Sequence, residues 1–134
     1  MRLAVKKIGL AGAAGVLLVT LGAAQRPSLF SRVSGGLWEL SGAPAAEKPV
    51  RMCIGDLARL AQFEHRKSSC ERTLIRDTAE MAEFHYSCAG RGFGRTTMRL
   101  VTPRSLRVET QGISDGAPFH YVLQARRVGD CRGH

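Results

Sequence analysis

Several constellations that carry chemistry are missing from this 134-residue chain. No cysteine pair has the C-x2-C spacing of structural zinc sites, and no tight Cys/His cluster replaces it, so no resident metal is expected. There is no C-x-x-C-H, which excludes covalent haem. Ser-x-x-Lys and Gly-x-Ser-x-Gly are both absent, so no serine sits at a recognisable nucleophile elbow. No cysteine precedes Cys53, which rules out a lipid-modified cysteine at a signal cleavage site. No twin-arginine pair opens the chain, and no repeat or low-complexity tract follows its N-terminal segment. Acidic residues are few: 11 Asp and Glu stand against 20 Lys and Arg, a net charge of +9. No DNA- or RNA-binding motif accompanies that excess, so a nucleic-acid partner is not expected.

The N-terminus indicates where the protein works. Arg2, Lys6 and Lys7 form a basic region with no acidic residue nearby, and an apolar run rich in Ala, Gly, Leu and Val extends from Ile8 to Leu21. Gly22-Ala23-Ala24 then offers small residues where a signal peptidase reads them. This is a secretory signal pattern, residues 1–24, with cleavage expected between Ala24 and Gln25. The alternative, an uncleaved anchor, needs a span of about 20 apolar residues, and this run is short for that. After cleavage no stable membrane span is expected, and the protein is periplasmic or secreted. The 134 residues less these 24 leave 110, in which 17 basic against 11 acidic residues give +6. A chain of that size forms one small domain and hides roughly 65% of its surface on folding, so covalent staples would help it.

All four cysteines, Cys53, Cys70, Cys88 and Cys131, lie beyond the signal. An even count in an exported domain reads as two disulfides, with three possible connectivities. The stretch from Cys70 to Cys88 chooses among them. Folded back on itself, it sets Cys70 opposite Cys88, Arg72 opposite Tyr86, Leu74 opposite Phe84 and Arg76 opposite Ala82, with a turn over Asp77–Met81. Directly opposed residues of a non-hydrogen-bonded antiparallel pair are about 4.5 Å apart at Cα, within disulfide range. Cys70–Cys88 follows, and Cys53–Cys131 is left.

The rest of the chain alternates. Residues 25–34 are polar and Pro-bearing, a flexible lead-in. In the first strand, Trp38 and Leu40 face one way, Leu37 and Glu39 the other; Trp38 reads as a core anchor, with a ligand-stacking role the alternative. Ser41–Pro49 is a loop, Val50–Cys53 a short strand or its end, and Asp56 caps a short helix over Asp56–Glu64. The Ala89–Gly94 stretch is glycine-rich, but it opens a strand and not a helix, so it reads as a turn with a bulge rather than a phosphate cradle. Thr96, Met98 and Leu100 share a face, and pairing Leu100 with Leu106 brings Met98 opposite Val108. Ser114-Asp115-Gly116 marks a second turn. Phe119, Tyr121, Leu123 and Ala125 then share a face of the last strand.

The fold class is therefore mainly β: a curled antiparallel meander of five to six strands with one short helix, stapled by two disulfides, in a single domain over residues 35–131. The apolar face needs a cover, which the helix, curling or self-association can supply.

No catalytic constellation stands out. His65, His85 and His120 are the candidate bases, with Glu83, Glu109 or Asp115 as partners; Glu83 and His85 lie two apart on one strand face, as alternation on a solvated face also produces. With every cysteine in a disulfide, no thiol nucleophile remains. The protein reads as non-catalytic and without a cofactor. A binding module is the alternative, built on a pocket beneath the helix at the mouth of the curled sheet, or on a basic face from Arg72, Arg76, Arg91, Arg95, Arg99 and Arg107. The ligand would be apolar or anionic, a lipid or glycolipid, and the partners anionic envelope components. Equally, those arginines serve as solvated strand faces that discourage edge aggregation.

An ordered set of features resembles a known family. Gly36-Leu37-Trp38-Glu39 after a signal peptide, Cys53 before a short helix, Cys70 and Cys88 flanking a hairpin, and Gly129-Asp130-Cys131 at the end are similar to the bacterial domain-of-unknown-function family 3617. The resemblance runs from Gly35 to Cys131. It departs at Gly35, where members often carry Pro, and at the Asp77-Thr78-Ala79-Glu80 turn, where they tend to have Gly. It implies a small exported, periplasmic, disulfide-bonded protein and brings no activity with it.

Overall fold

The computed structural model describes residues 4, 9 and 11–132. Arg2, Lys6 and Lys7 of the basic region, and Ile8 and Leu10 of the apolar run, lie outside the described residues. No helix among the described residues is long and apolar enough to cross a membrane.

Strict alternation makes the strands. β1 (Gly36–Ser41), β2 (Val50–Ile54), β3 (Cys70–Asp77), β4 (Met81–Cys88), β5 (Gly92–Thr102), β6 (Ser105–Ser114) and β7 (Ala117–Gly129) form one antiparallel sheet. Its order is β2-β1-β7-β6-β5-β4-β3. β3 to β7 follow one another as a meander, and the N-terminal hairpin β1–β2 joins the far side of β7. Seven strands replace the expected five to six, because Val50–Ile54 pairs with β1 over five positions and is a full strand. Leu100 faces Leu106 and Met98 faces Val108. Asp115 and Gly116 both take positive φ, 48° and 82°, the two left-handed positions of a tight hairpin turn.

One face of the sheet is the core. Trp38, Leu40, Met98, Leu106, Val108 and Leu123 are fully buried, and Trp38 Nε1 donates to the Ser34 carbonyl at 3.2 Å. Trp38 is thus a core anchor. Burying each of the aliphatic side chains contributes about 1.5–3 kcal/mol. The cover is a helix over Leu57–His65, whose N-cap Asp56 accepts the Ala58 N–H at 3.0 Å. It is 3-10 in character and interrupted at Gln62 (φ −106°, ψ 33°). The sheet competes for its carbonyls: Thr96 Oγ1 donates to the Ala61 carbonyl at 2.5 Å, and the Gln62 amide turns to the carbonyls of His65 and Ser68. Leu57, Leu60, Ala61 and Phe63 fill the space under the helix.

Two expectations need correction. The lead-in is not free over all of 25–34. Ser28 Oγ donates to Asp77 Oδ2 at 2.6 Å and the Leu29 N–H donates to Asp77 Oδ1 at 3.1 Å. Leu29 is fully buried, Val33 nearly so, and Phe30 meets Phe84 edge-on at 5.9 Å. These apolar residues plug one end of the core, which outweighs the local polar composition. The β3–β4 register also slips once. Cys70 faces Cys88, Arg72 faces Tyr86 and Leu74 faces Phe84, but a bulge then sets Arg76 opposite Glu83 and Asp77 opposite Ala82. The extra residue leaves a three-residue turn in which Thr78 Oγ1 accepts the N–H groups of Glu80 and Met81, so no glycine is required there.

The cysteines join as Cys70–Cys88, with Cα atoms 4.2 Å apart, and Cys53–Cys131, at 5.5 Å. The second bond ties Cys53 of β2 to the chain just past the end of β7, next to the position where Leu37 of β1 stands opposite both Cys53 and Gly129.

Candidate functional site

Polar chemistry collects in two places, one on each face of the sheet. Inside, the C-terminal end of the helix sits over β4–β7. His65 is buried; its Nδ1 accepts the Tyr86 hydroxyl at 3.0 Å if its Nε2–H donates to the Arg91 carbonyl at 3.2 Å. The Tyr121 hydroxyl donates to Glu64 Oε2 at 2.8 Å. Thr96 and Thr110 are hydrogen-bonded to each other at 2.8 Å. Burial, with Glu64 nearby, pushes the Tyr86 hydroxyl up to about 12, and burial together with its bond to Glu64 pushes Tyr121 up as well. Among the described residues no buried side-chain polar atom lacks a partner. A satisfied network of this kind fixes packing.

Outside, the register of five strands builds two rows of side chains that run across the sheet. Glu71, Ser87, Phe93, Ile113 and Pro118 stand successively opposite one another on β3, β4, β5, β6 and β7. The adjoining row is Thr73, His85, Arg95, Gln111 and His120. Neighbouring strands are about 4.8 Å apart, so the apolar trio Phe93, Ile113 and Pro118 spans about 10 Å beside a row of nitrogen donors. Together the rows, His120 excepted, line a groove of about 840 Å³. Phe93 is 56% exposed although it lies mid-sheet.

Two opposed glycines shape this region. Gly94 and Gly112 face each other on β5 and β6. A Cβ on Gly94 would fall 2.5 Å from the Tyr86 ring, which lies over that position on the core side. A Cβ on Gly112 would run into the carbonyl of Phe93. The strands therefore approach closely just where Phe93 turns outward.

A third row anchors the second. Glu83 is only 9% exposed and accepts from Arg95 Nε at 2.7 Å and from its Nη2. Glu109 accepts from Arg107 Nη1 at 2.9 Å and lies 3.0 Å from His120 Nε2; these two partners hold its carboxyl below the usual range. Glu83 and Glu109 thus engage Arg95 and His120 from the side away from the apolar row.

The expected candidates are dispersed. His65 is inside; His85 and His120 are outside, His85 lining the groove and His120 paired with Glu109. Glu83 and His85 do share the outer face, but the carboxylate is committed to Arg95. Asp115 sits in the β6–β7 turn, 3.9 Å from Arg91. The expected basic face assembles only in part: Arg76, Arg95, Arg99 and Arg107 stand on the outer face. Arg72 turns to the core side and donates to Gln62 Oε1 at 2.6 Å, Arg91 lies in a turn, and Arg95 and Arg107 are carboxylate-bound. The groove does not lie at the helix, but a smaller cavity of about 270 Å³ does, between the helix and β2, lined by Met52, Ile54, Arg59, Leu60 and Phe63. Among the described residues no group of three His, Cys, Asp or Glu is placed to hold a metal ion, and no cysteine is free. Phe93, Ile113, Pro118 and Gln111 are the groove residues that sequence reasoning missed. The available signal was phase: Phe93 is two residues before the outward Arg95.

No curated protein and no solved structure matches the chain. A family model described as "Protein of unknown function (DUF3617)" matches residues 31–131. That match takes in the buried Val33, all seven strands, the helix, both disulfides and the groove, and the chain accordingly belongs to the DUF3617 family.

Proposed function

We propose that this protein is an exported, non-catalytic binding module whose working surface is the outer-face groove, and that it holds an amphipathic, anionic component of the cell envelope, a lipid or glycolipid. The observation that carries this reading is the exposed Phe93 in line with Ile113 and Pro118, directly beside Arg95 and Gln111. Apolar floor with a few convergent polar groups is the composition of small-molecule sites, and the volume falls within their range of about 300–1,000 Å³. Export is supported by the two disulfides, which persist in oxidising compartments, and by the basic and apolar N-terminal stretches.

The test is to incubate the domain beginning at Gln25 with total envelope lipid, re-isolate it, and weigh it by native mass spectrometry. A one-to-one adduct that disappears in Phe93→Ser is the expected result. A protein that returns free of any adduct overturns the proposal.

A further inference from the structure

The two rows differ in chemistry along their whole length, and that difference orients a ligand. Arg95 uses Nε and Nη2 on Glu83, which leaves Nη1 without a partner among the described residues. The Gln111 amide directly opposite, and the His85 ring on the other neighbouring strand, also have no protein partner among those residues. Arg95 and Gln111 thus present spare N–H donors side by side, and a guanidinium edge beside an amide suits an anionic head with several oxygens. Arg99 and Arg107 stand opposed four residues away along β5 and β6, adding positive potential on that flank. The one carboxylate on the groove wall that is free of a cation, Glu71, lies at the β3 end of the apolar row, two strands from β5. It repels an anionic head from that end. The hydrocarbon side of the groove runs the other way, from Phe93 through Ile113 to Pro118 at the β7 flank. About 10 Å of apolar floor, with no second apolar row beside it, takes one chain and not two.

We infer, on the footing of the binding reading above, that the groove seats a single-chain anionic amphiphile across the strands, with its head on Arg95 and Gln111 and its hydrocarbon along Phe93, Ile113 and Pro118.

Dodecyl phosphate and dodecanoate, each kept below its aggregation threshold, are titrated into the domain at low salt alongside inorganic phosphate and dodecyl maltoside, and amide NMR shifts are followed. Both anionic amphiphiles are expected to saturate at one per protein and to shift β5–β7 amides. Inorganic phosphate and the maltoside are expected to bind at least about ten-fold more weakly. Gln111→Glu places a charge beside the head without breaking any pair in the protein, whereas replacing Arg95 would strand Glu83. It should weaken dodecyl phosphate about ten-fold and leave the maltoside unchanged. Phe93→Ser should weaken every dodecyl compound. Maltoside binding as tight as phosphate amphiphile binding overturns the head assignment while the binding reading stands. Inorganic phosphate binding as tight as dodecyl phosphate overturns the hydrocarbon seat. Failure of all four to shift a groove amide overturns both this inference and the binding reading for amphiphiles.

Discussion

Tyr86 and Gly94 stand directly opposite each other on β4 and β5, and the tyrosine ring occupies the space that a Cβ on residue 94 would need. The bare glycine lets an aromatic ring close the core at the point where its hydroxyl must reach His65. Gly94→Ala forces the ring or the strand aside. Overpacking of this kind costs about 1–3 kcal/mol. Chemical denaturation should show that loss, and an unchanged midpoint would refute the argument.

The chain has two tyrosines, and both hydroxyls are buried with partners. A raised folded-state value means that the folded protein holds its proton more tightly than the unfolded chain. The associated stability is complete below the ordinary tyrosine value of 10.0 and is lost as pH climbs towards about 12 for Tyr86. Tyrosinate absorbance should therefore remain flat through pH 10 and rise together with loss of structure. A tyrosine titrating in the folded protein at the ordinary value would contradict the buried network.

The N-terminal plug makes a sharp prediction. Leu29→Ala removes a fully buried side chain and should cost about 2–5 kcal/mol, although the residue lies in a stretch that looks like a linker. Asp77→Ala should release the same segment, since it accepts from both Ser28 and Leu29. Limited proteolysis then cuts near Ser31 in the variant and not in the parent; equal cutting in both would dismiss the plug.

The two disulfides should differ in weight. In the chain-entropy account the Cys53–Cys131 bond, with 78 residues of separation, contributes about 4.5 kcal/mol, and Cys70–Cys88, with 18, about 3. Paired serine replacements compared by thermal denaturation should preserve that order. The reverse order would show that the longer link is strained or that the unfolded chain is already compact.

The meander was legible from residues because each of its signals is local. Alternation marks Thr96, Met98 and Leu100, and Asp115-Gly116 marks a hairpin turn. What escaped depends on partners far away in the chain. Nothing near Trp38 says that β1 will lie beside β7. The bulge after Leu74 answers to Asp77, which is held by Ser28, forty-nine positions earlier. Residues 57–65 have helical spacing, but Thr96 and the Gln62 side chain take carbonyls an α-helix would use. The groove is subtler still. Phe93, Ile113 and Pro118 are unremarkable in their own strands and become a row only when the β5–β6 and β6–β7 registers are known together.

The Cys53–Cys131 bond has a mechanical consequence. Residues 53–131 form a closed covalent circuit, with the smaller circuit of residues 70–88 nested inside it. Tension applied between the two ends of the chain passes from Cys53 to Cys131 through sulfur and bypasses β3 to β7. Pulling can strip away the N-terminal plug, β1 and most of β2, yet the strands that carry the groove stay slack until Cys53–Cys131 is reduced.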